Sequence, residues 1–239
     1  MCLPKTASPT RPSGPVKSRP LLLCYITDRR KFPGSAADQA RQLLAKITEC
    51  ARAGVDYIQL REKDLSPREL EKLALQAVAA LSAKTETRLL INSRLDVALA
   101  CGAHGVHLPA GDLTASEARA LWNRGSQRAC VIGVSAHTVA EIALAESHGA
   151  DFAVFGPVFE KGEALNPGGL QELQQACRRL EAAIPPMPVL ALGGVTVQNA
   201  AQCLAAGCAG VAGIRLFQEM NAVTVVTALR SQFAMVQKT

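Results

Sequence analysis

The chain has 239 residues, 49% of them hydrophobic and only 4% aromatic, which suits one α/β barrel or two small domains rather than an aromatic sandwich core. Its net charge is +6, but Lys5, Arg11, Lys17 and Arg19 put +4 of it in residues 1–20 and leave only +2 for the other 219, so no basic face for nucleic acid is expected. Eight scattered cysteines without a CxxC pair argue against a disulfide framework and for a reducing, cytoplasmic setting.

Residues 1–20 are basic and proline-rich and read as a disordered, solvated tail. They lack the apolar stretch of a secretory signal, and Leu21–Ile26 is too short to cross a bilayer, so no membrane partner is expected. From Leu21 on, short apolar runs alternate with amphipathic stretches. They predict strands over Leu21–Thr27, Tyr57–Arg61, Arg88–Asn92, Gly105–Leu108, Cys130–Val134, Phe152–Phe155, Val189–Leu192 and Gly210–Ile214. Helical patterns fall between them, as at Pro67–Ser82, Ala115–Arg124, Val139–His148, Gly169–Ala183 and Val197–Ala206. Strands separated by helices imply a parallel sheet, and eight of them close a barrel.

A cadence supports closure. Gly54, Gly102, Gly149 and Gly207 each end a helical pattern and open the second, fourth, sixth and eighth strands, at separations of 48, 47 and 58 residues. Residues 21–239 are therefore expected to form a single (β/α)8 TIM barrel after the tail.

In such barrels the active site lies at the C-terminal ends of the strands, and polar residues accumulate there. The first strand ends in Thr27-Asp28, the second in Gln59-Leu60-Arg61-Glu62-Lys63, and the third in Asn92-Ser93-Arg94. His107 and Asp112 follow, then Ser135-Ala136-His137, Gly193-Gly194 and Gly213-Ile214-Arg215. With Leu60 facing the helices, Gln59 and Arg61 point into the mouth. An inward Arg61 then meets an anionic ligand, with Lys63 adding charge at the rim, or forms an internal ion pair with Asp28 or Asp112. Gly193-Gly194 is either an anion-binding turn or simply a tight one. Asp112 is either a Mg²⁺ ligand or a helix cap, and His107 either binds substrate or is a satisfied rim histidine.

These pieces resemble the thiamin phosphate synthase family from about Leu21 to Phe217. The resemblance is carried by Tyr25-Ile26-Thr27-Asp28-Arg29, Gln59-Leu60-Arg61-Glu62-Lys63, Asn92-Ser93-Arg94, Gly105-Val106-His107-Leu108, Gly156-Pro157-Val158-Phe159 and Leu192-Gly193-Gly194-Val195. It implies a transferase that joins hydroxymethylpyrimidine pyrophosphate to thiazole phosphate with Mg²⁺ present, releasing pyrophosphate through a stabilised pyrimidine cation. By the same resemblance Arg61, Lys63 and Ser135 hold the pyrophosphate, Gln59, Asn92 and His107 line the pyrimidine pocket, and Asp112 is the metal ligand. Gly193 and its neighbour Gly194, with Ile214, are expected at the thiazole phosphate.

Three positions depart from the family. Ser93 stands where an aspartate is usual. Glu160-Lys161-Gly162-Glu163-Ala164 replaces a Thr-rich loop ending in lysine, with Lys161 as the candidate substitute cation. Arg215 replaces a small residue and is expected at the phosphate, unless it pairs with Glu219 one turn on. Ser93 keeps a related thiazole tautomerase, or a non-catalytic thiazole-phosphate binder, as alternatives. The expected partners are phosphorylated small molecules, and a homo-oligomer is left open.

Overall fold

The structure is a computed structural model that describes residues 21–81, 85–161, 164–166, 168–180 and 186–236. The tail expected over residues 1–20 lies outside them, as do Gly162 and Glu163. Eight parallel strands close a barrel: β1 (Leu22–Ile26), β2 (Tyr57–Leu60), β3 (Arg88–Asn92), β4 (Gly105–Leu108), β5 (Val131–Ala136), β6 (Phe152–Phe155), β7 (Val189–Ala191) and β8 (Gly210–Gly213). Each pairs with its neighbours in chain order, and β8 returns to β1 with Cys24 opposite Ala212.

The helices outside the barrel are α1 (Ala36–Ala53), α2 (Pro67–Leu81), α3 (Leu95–Cys101), α4 (Ala115–Gly125), α5 (Val139–Ser147), α6 (Gly169–Leu180), α7 (Ala200–Ala205), α8 (Arg215–Gln218) and α9 (Ala222–Val236). Gly54, Gly102, Gly149 and Gly207 all adopt positive φ, between 73° and 97°, as a helix-ending role requires. The eighth strand stops at Gly213, one residue short of the predicted end, so Arg215 opens α8 instead of closing the strand. Between β6 and β7 the chain adds a short antiparallel hairpin, Glu160–Lys161 with Ala164–Leu165, which the alternation of apolar runs does not predict. Among the described residues no helix is long and apolar enough to cross a membrane.

Period-2 alternation sorts each strand between two apolar layers. Cys24, Ile26, Leu90, Val154, Leu190 and Ala212 fill the barrel interior, whereas Leu23, Tyr25 and Leu60 pack outward in the larger cluster shared with the helices. Phe152 lies in the interior, stacked on Tyr57 with ring centroids 4.6 Å apart. Gly133 makes room for it: a Cβ there would meet the Phe152 ring at 2.4 Å and His107 Nδ1 at 2.7 Å. The mouth thus rests on a packed plug of side chains, and the groups above it have a firm floor.

Candidate active site

The inward residues that top β2 to β5 are polar. Asn92 is in register with His107, and His107 with Gly133, which sets Gln59, Asn92, His107 and Ser135 as an arc above the plug. Gln59 Nε2 donates to Asn92 Oδ1 at 2.9 Å, and His107 Nε2 lies 2.9 Å from Ser135 Oγ. His107 is buried, and burial, with the nearby Arg61 charge second, pushes its pKa down from 6.5 to about 3. The ring is therefore neutral near pH 7. Its Nδ1 has no partner. A buried N–H left unpaired is rarer than an unpaired acceptor, so we assign the proton to Nε2, which donates to Ser135. That leaves the Ser135 hydroxyl proton free to donate to an incoming oxygen. Across the barrel the inward residues of β1, β6 and the ends of β7 and β8 are apolar: Ile26, Val154, Leu192 and Ile214.

Arg61 and Lys63 follow β2, the first half-buried and the second exposed. The internal ion pair that sequence left open for Arg61 is not formed. Asp28 lies 3.5 Å from Arg30 Nε, and Asp112 is bonded to Ser93. Among the described residues neither Arg61 nor Lys63 pairs with a carboxylate, so two cations at the mouth are left uncompensated. Glu62, between them in sequence, turns the other way. It is buried and accepts from Thr27 Oγ1 at 2.5 Å, from Arg29 N at 3.0 Å and from Arg29 Nη1 at 3.1 Å. Burial raises the Glu62 carboxyl pKa, while the bonds to Thr27 and Arg29 oppose that rise. Arg29 also grips Asp64 through two 2.7 Å bonds, and Arg61 N donates to Thr27 Oγ1. The loop carrying both cations is thereby fixed to the end of β1. Sequence alone marks Thr27 and Glu62 as polar strand-end residues but gives no sign of this clamp, whose partners lie more than thirty positions apart.

Asp112 does not cap α4. Thr114 does, accepting from Glu117 N in a capping box. Asp112 instead accepts from the Ser93 hydroxyl and from Leu113 N. Ser93 holds φ at 63°, a left-handed conformation that aspartate and asparagine also tolerate. Among the described residues no group of three His, Cys, Asp or Glu side chains could hold a metal ion. One exposed carboxylate beside a hydroxyl is an all-oxygen donor set. It fits Mg²⁺ only in the mode where water and substrate phosphates complete the shell.

On the β7–β8 side, Gly193 and Gly194 have φ of 97° and 68°, and neither N–H donates to a described acceptor. Phe159 N donates to Gly193 O, and Asn199 Nδ2 donates to Gly194 O, so the turn is held from both sides. Glu160 lies over it: a Cβ on Gly194 would meet Glu160 Cγ at 2.7 Å. Arg215 reaches across to this same Glu160, not to Glu219. Arg215 shares α8 with buried Gln218, whose Nε2 donates to Asp28 O and whose Oε1 accepts from Tyr25 OH, tying the helix to β1. Lys161 belongs by its backbone to the hairpin beside this turn, and its side chain lies outside the described part. A separate cavity of about 560 Å³ lies at the opposite end of the strands, lined by Arg52, Val55, Asp56, Thr87 and Arg230 among others. None of the predicted site residues borders it.

A family model described as thiamine monophosphate synthase matches residues 23–217. The chain is 42% identical over 193 residues to a putative thiamine-phosphate synthase of Geobacter sulfurreducens, covering 80% of this chain and 83% of that one. It is 37% identical over 193 residues to the thiamine-phosphate synthase of Chlorobium luteolum, covering 81% and 83%. Among solved structures, a thiamine phosphate pyrophosphorylase from Pyrococcus furiosus superposes with a TM-score of 0.72 at 28% identity, over 90% of this chain and 96% of that chain.

Proposed function

The chain belongs to the thiamine monophosphate synthase family, and we propose that its barrel mouth transfers the pyrimidinylmethyl group of hydroxymethylpyrimidine pyrophosphate to the ring nitrogen of thiazole phosphate. The products are thiamin phosphate and pyrophosphate. The family match and the relatives favour this over the tautomerase alternative. The observation that carries the residue roles is the uncompensated pair Arg61 and Lys63, held over an arc of neutral hydrogen-bonding groups.

In this reading Gln59 and Asn92 orient the pyrimidine, and His107 stays neutral so that no cation opposes the positive charge developing on it. Arg61, Lys63 and the Ser135 hydroxyl bind the pyrophosphate. The carbon–oxygen bond to pyrophosphate breaks with its electrons leaving on oxygen, and a cation forms at the pyrimidine methylene. The thiazole nitrogen lone pair then closes the carbon–nitrogen bond. Fixed charges and positioning supply the rate, with no covalent enzyme intermediate. Ile214 and Leu192 flank the thiazole, and Gly193, Gly194 and Arg215 take its phosphate, with Lys161 beside them. Asp112 would hold Mg²⁺, which would supply charge neutralisation to the pyrophosphate. With Ser93 rather than a second carboxylate beside Asp112, the metal would be held weakly. The burial of the described cysteines and the class of reaction support a cytoplasmic setting.

Calorimetric titration with inorganic pyrophosphate tests the assignment. Arg61→Ala should weaken binding at least tenfold and cut turnover by roughly 10²-fold, the scale for one preorganised donor. Unchanged pyrophosphate binding in that variant would take Arg61 out of the site.

A further inference from the structure

The Glu160–Arg215 pair joins the hairpin that follows β6 to the first residue of α8. The backbone around Glu160 is held by its neighbours. Phe159 N donates to Gly193 O, Asn166 N donates to Phe159 O, Asn166 Nδ2 donates to Pro157 O at 2.7 Å, and Glu160 is opposite Leu165 in the hairpin. These contacts seat the start of the hairpin on the Gly193-Gly194 turn. The Glu160 side chain passes over Gly194, and its carboxylate meets the Arg215 guanidinium. An anion is therefore already present between a turn with two unused N–H groups and an arginine.

We propose that Glu160 is an intramolecular stand-in for the substrate phosphate and sets how strongly this site discriminates for it. The proposal rests on the assignment of the thiazole phosphate to Gly193, Gly194 and Arg215. An arriving phosphate displaces the carboxylate from Arg215 and takes over the guanidinium in the bidentate manner that suits it. Until then the carboxylate neutralises Arg215 and repels dianions, so phosphate binding is weaker than the cation alone would give. Both side chains of the pair are more than a third exposed, at 59% for Arg215 and 37% for Glu160, so the pair is weak enough to exchange. No bond is made or broken in the exchange, and no proton needs to move.

The test is titration of thiazole phosphate and of the unphosphorylated thiazole alcohol into wild type, Glu160→Gln, Arg215→Ala and the double variant. Thermal melts and a second substitution, Glu160→Ala, verify that each protein is folded. The proposal expects Glu160→Gln and Glu160→Ala to bind the phosphate roughly threefold to tenfold more tightly, a gain on the scale of one exposed ion pair plus the repulsion relieved. It expects Arg215→Ala to bind phosphate more than tenfold more weakly, the double variant to lose the gain from Glu160, and the alcohol to respond to none of them. If Arg215→Ala loses affinity but neutralising Glu160 leaves it unchanged or lower, the phosphate site stands and the stand-in role is overturned. If neither residue affects phosphate binding, the phosphate-site assignment itself fails and the proposal falls with it.

Discussion

His107 provides a sharp physical test, because its ring is fully buried and its protonation is opposed by both burial and Arg61. Its pKa falls from 6.5 to about 3, so protonation disfavours the folded state. A base with a depressed folded pKa contributes stability that is present above pH 6.5 and is lost as the pH falls toward 3. Each pH unit in that window costs about 1.4 kcal/mol. Between pH 7 and pH 5 the loss from this one residue is about 2 kcal/mol, and over the whole window it approaches about 5 kcal/mol. Urea unfolding at pH 7 and pH 5, on wild type and on His107→Gln, isolates the effect, since the amide keeps a hydrogen bond to Ser135 but cannot titrate. Wild type should lose about 2 kcal/mol more than the variant over that interval. Equal losses in the two proteins would mean that His107 is not a buried neutral imidazole. The reading of the arc as a cation-free cradle would then fail.

Two further outcomes follow from the same geometry. Ser93→Asp adds a second carboxylate beside Asp112 on a backbone already left-handed, and should lower the Mg²⁺ concentration for half-maximal rate; activity indifferent to both the substitution and a chelator would refute a metal site there. Glu62→Ala removes the acceptor for Thr27 and the buried end of Arg29, and should cost about 3 kcal/mol in urea unfolding, the low end for a broken buried pair because Asp64 still holds Arg29. A loss within about 0.5 kcal/mol, the size of an ordinary surface substitution, would show that the clamp does not hold the β1 and β2 ends together.

The fold was legible wherever a local rule fixed the outcome. Helix-ending glycines recur before alternate strands because each needs positive φ. Leu60 faces the helices while Gln59 faces the interior because side chains alternate along a strand. What stayed hidden was decided by tertiary pairing. Arg215 was expected near Glu219, four positions on, or at a phosphate. It meets Glu160, 55 positions away, because the hairpin that carries Glu160 is seated on Gly193-Gly194. Asp112 read as a helix cap more readily than as a ligand; the structure shows Thr114 capping the helix and leaves Asp112 with Ser93. Glu62 carried no periodic signal at all, since its burial depends on Thr27 and Arg29 arriving from β1.

The central claim is that this barrel makes thiamin phosphate by displacement of pyrophosphate. The purified chain, incubated with hydroxymethylpyrimidine pyrophosphate, thiazole phosphate and Mg²⁺, should form thiamin phosphate and inorganic pyrophosphate in equal amounts, and neither product should form with Arg61→Ala at a comparable rate. Pyrophosphate released without thiamin phosphate, or no product from a folded protein that binds both substrates, would contradict it.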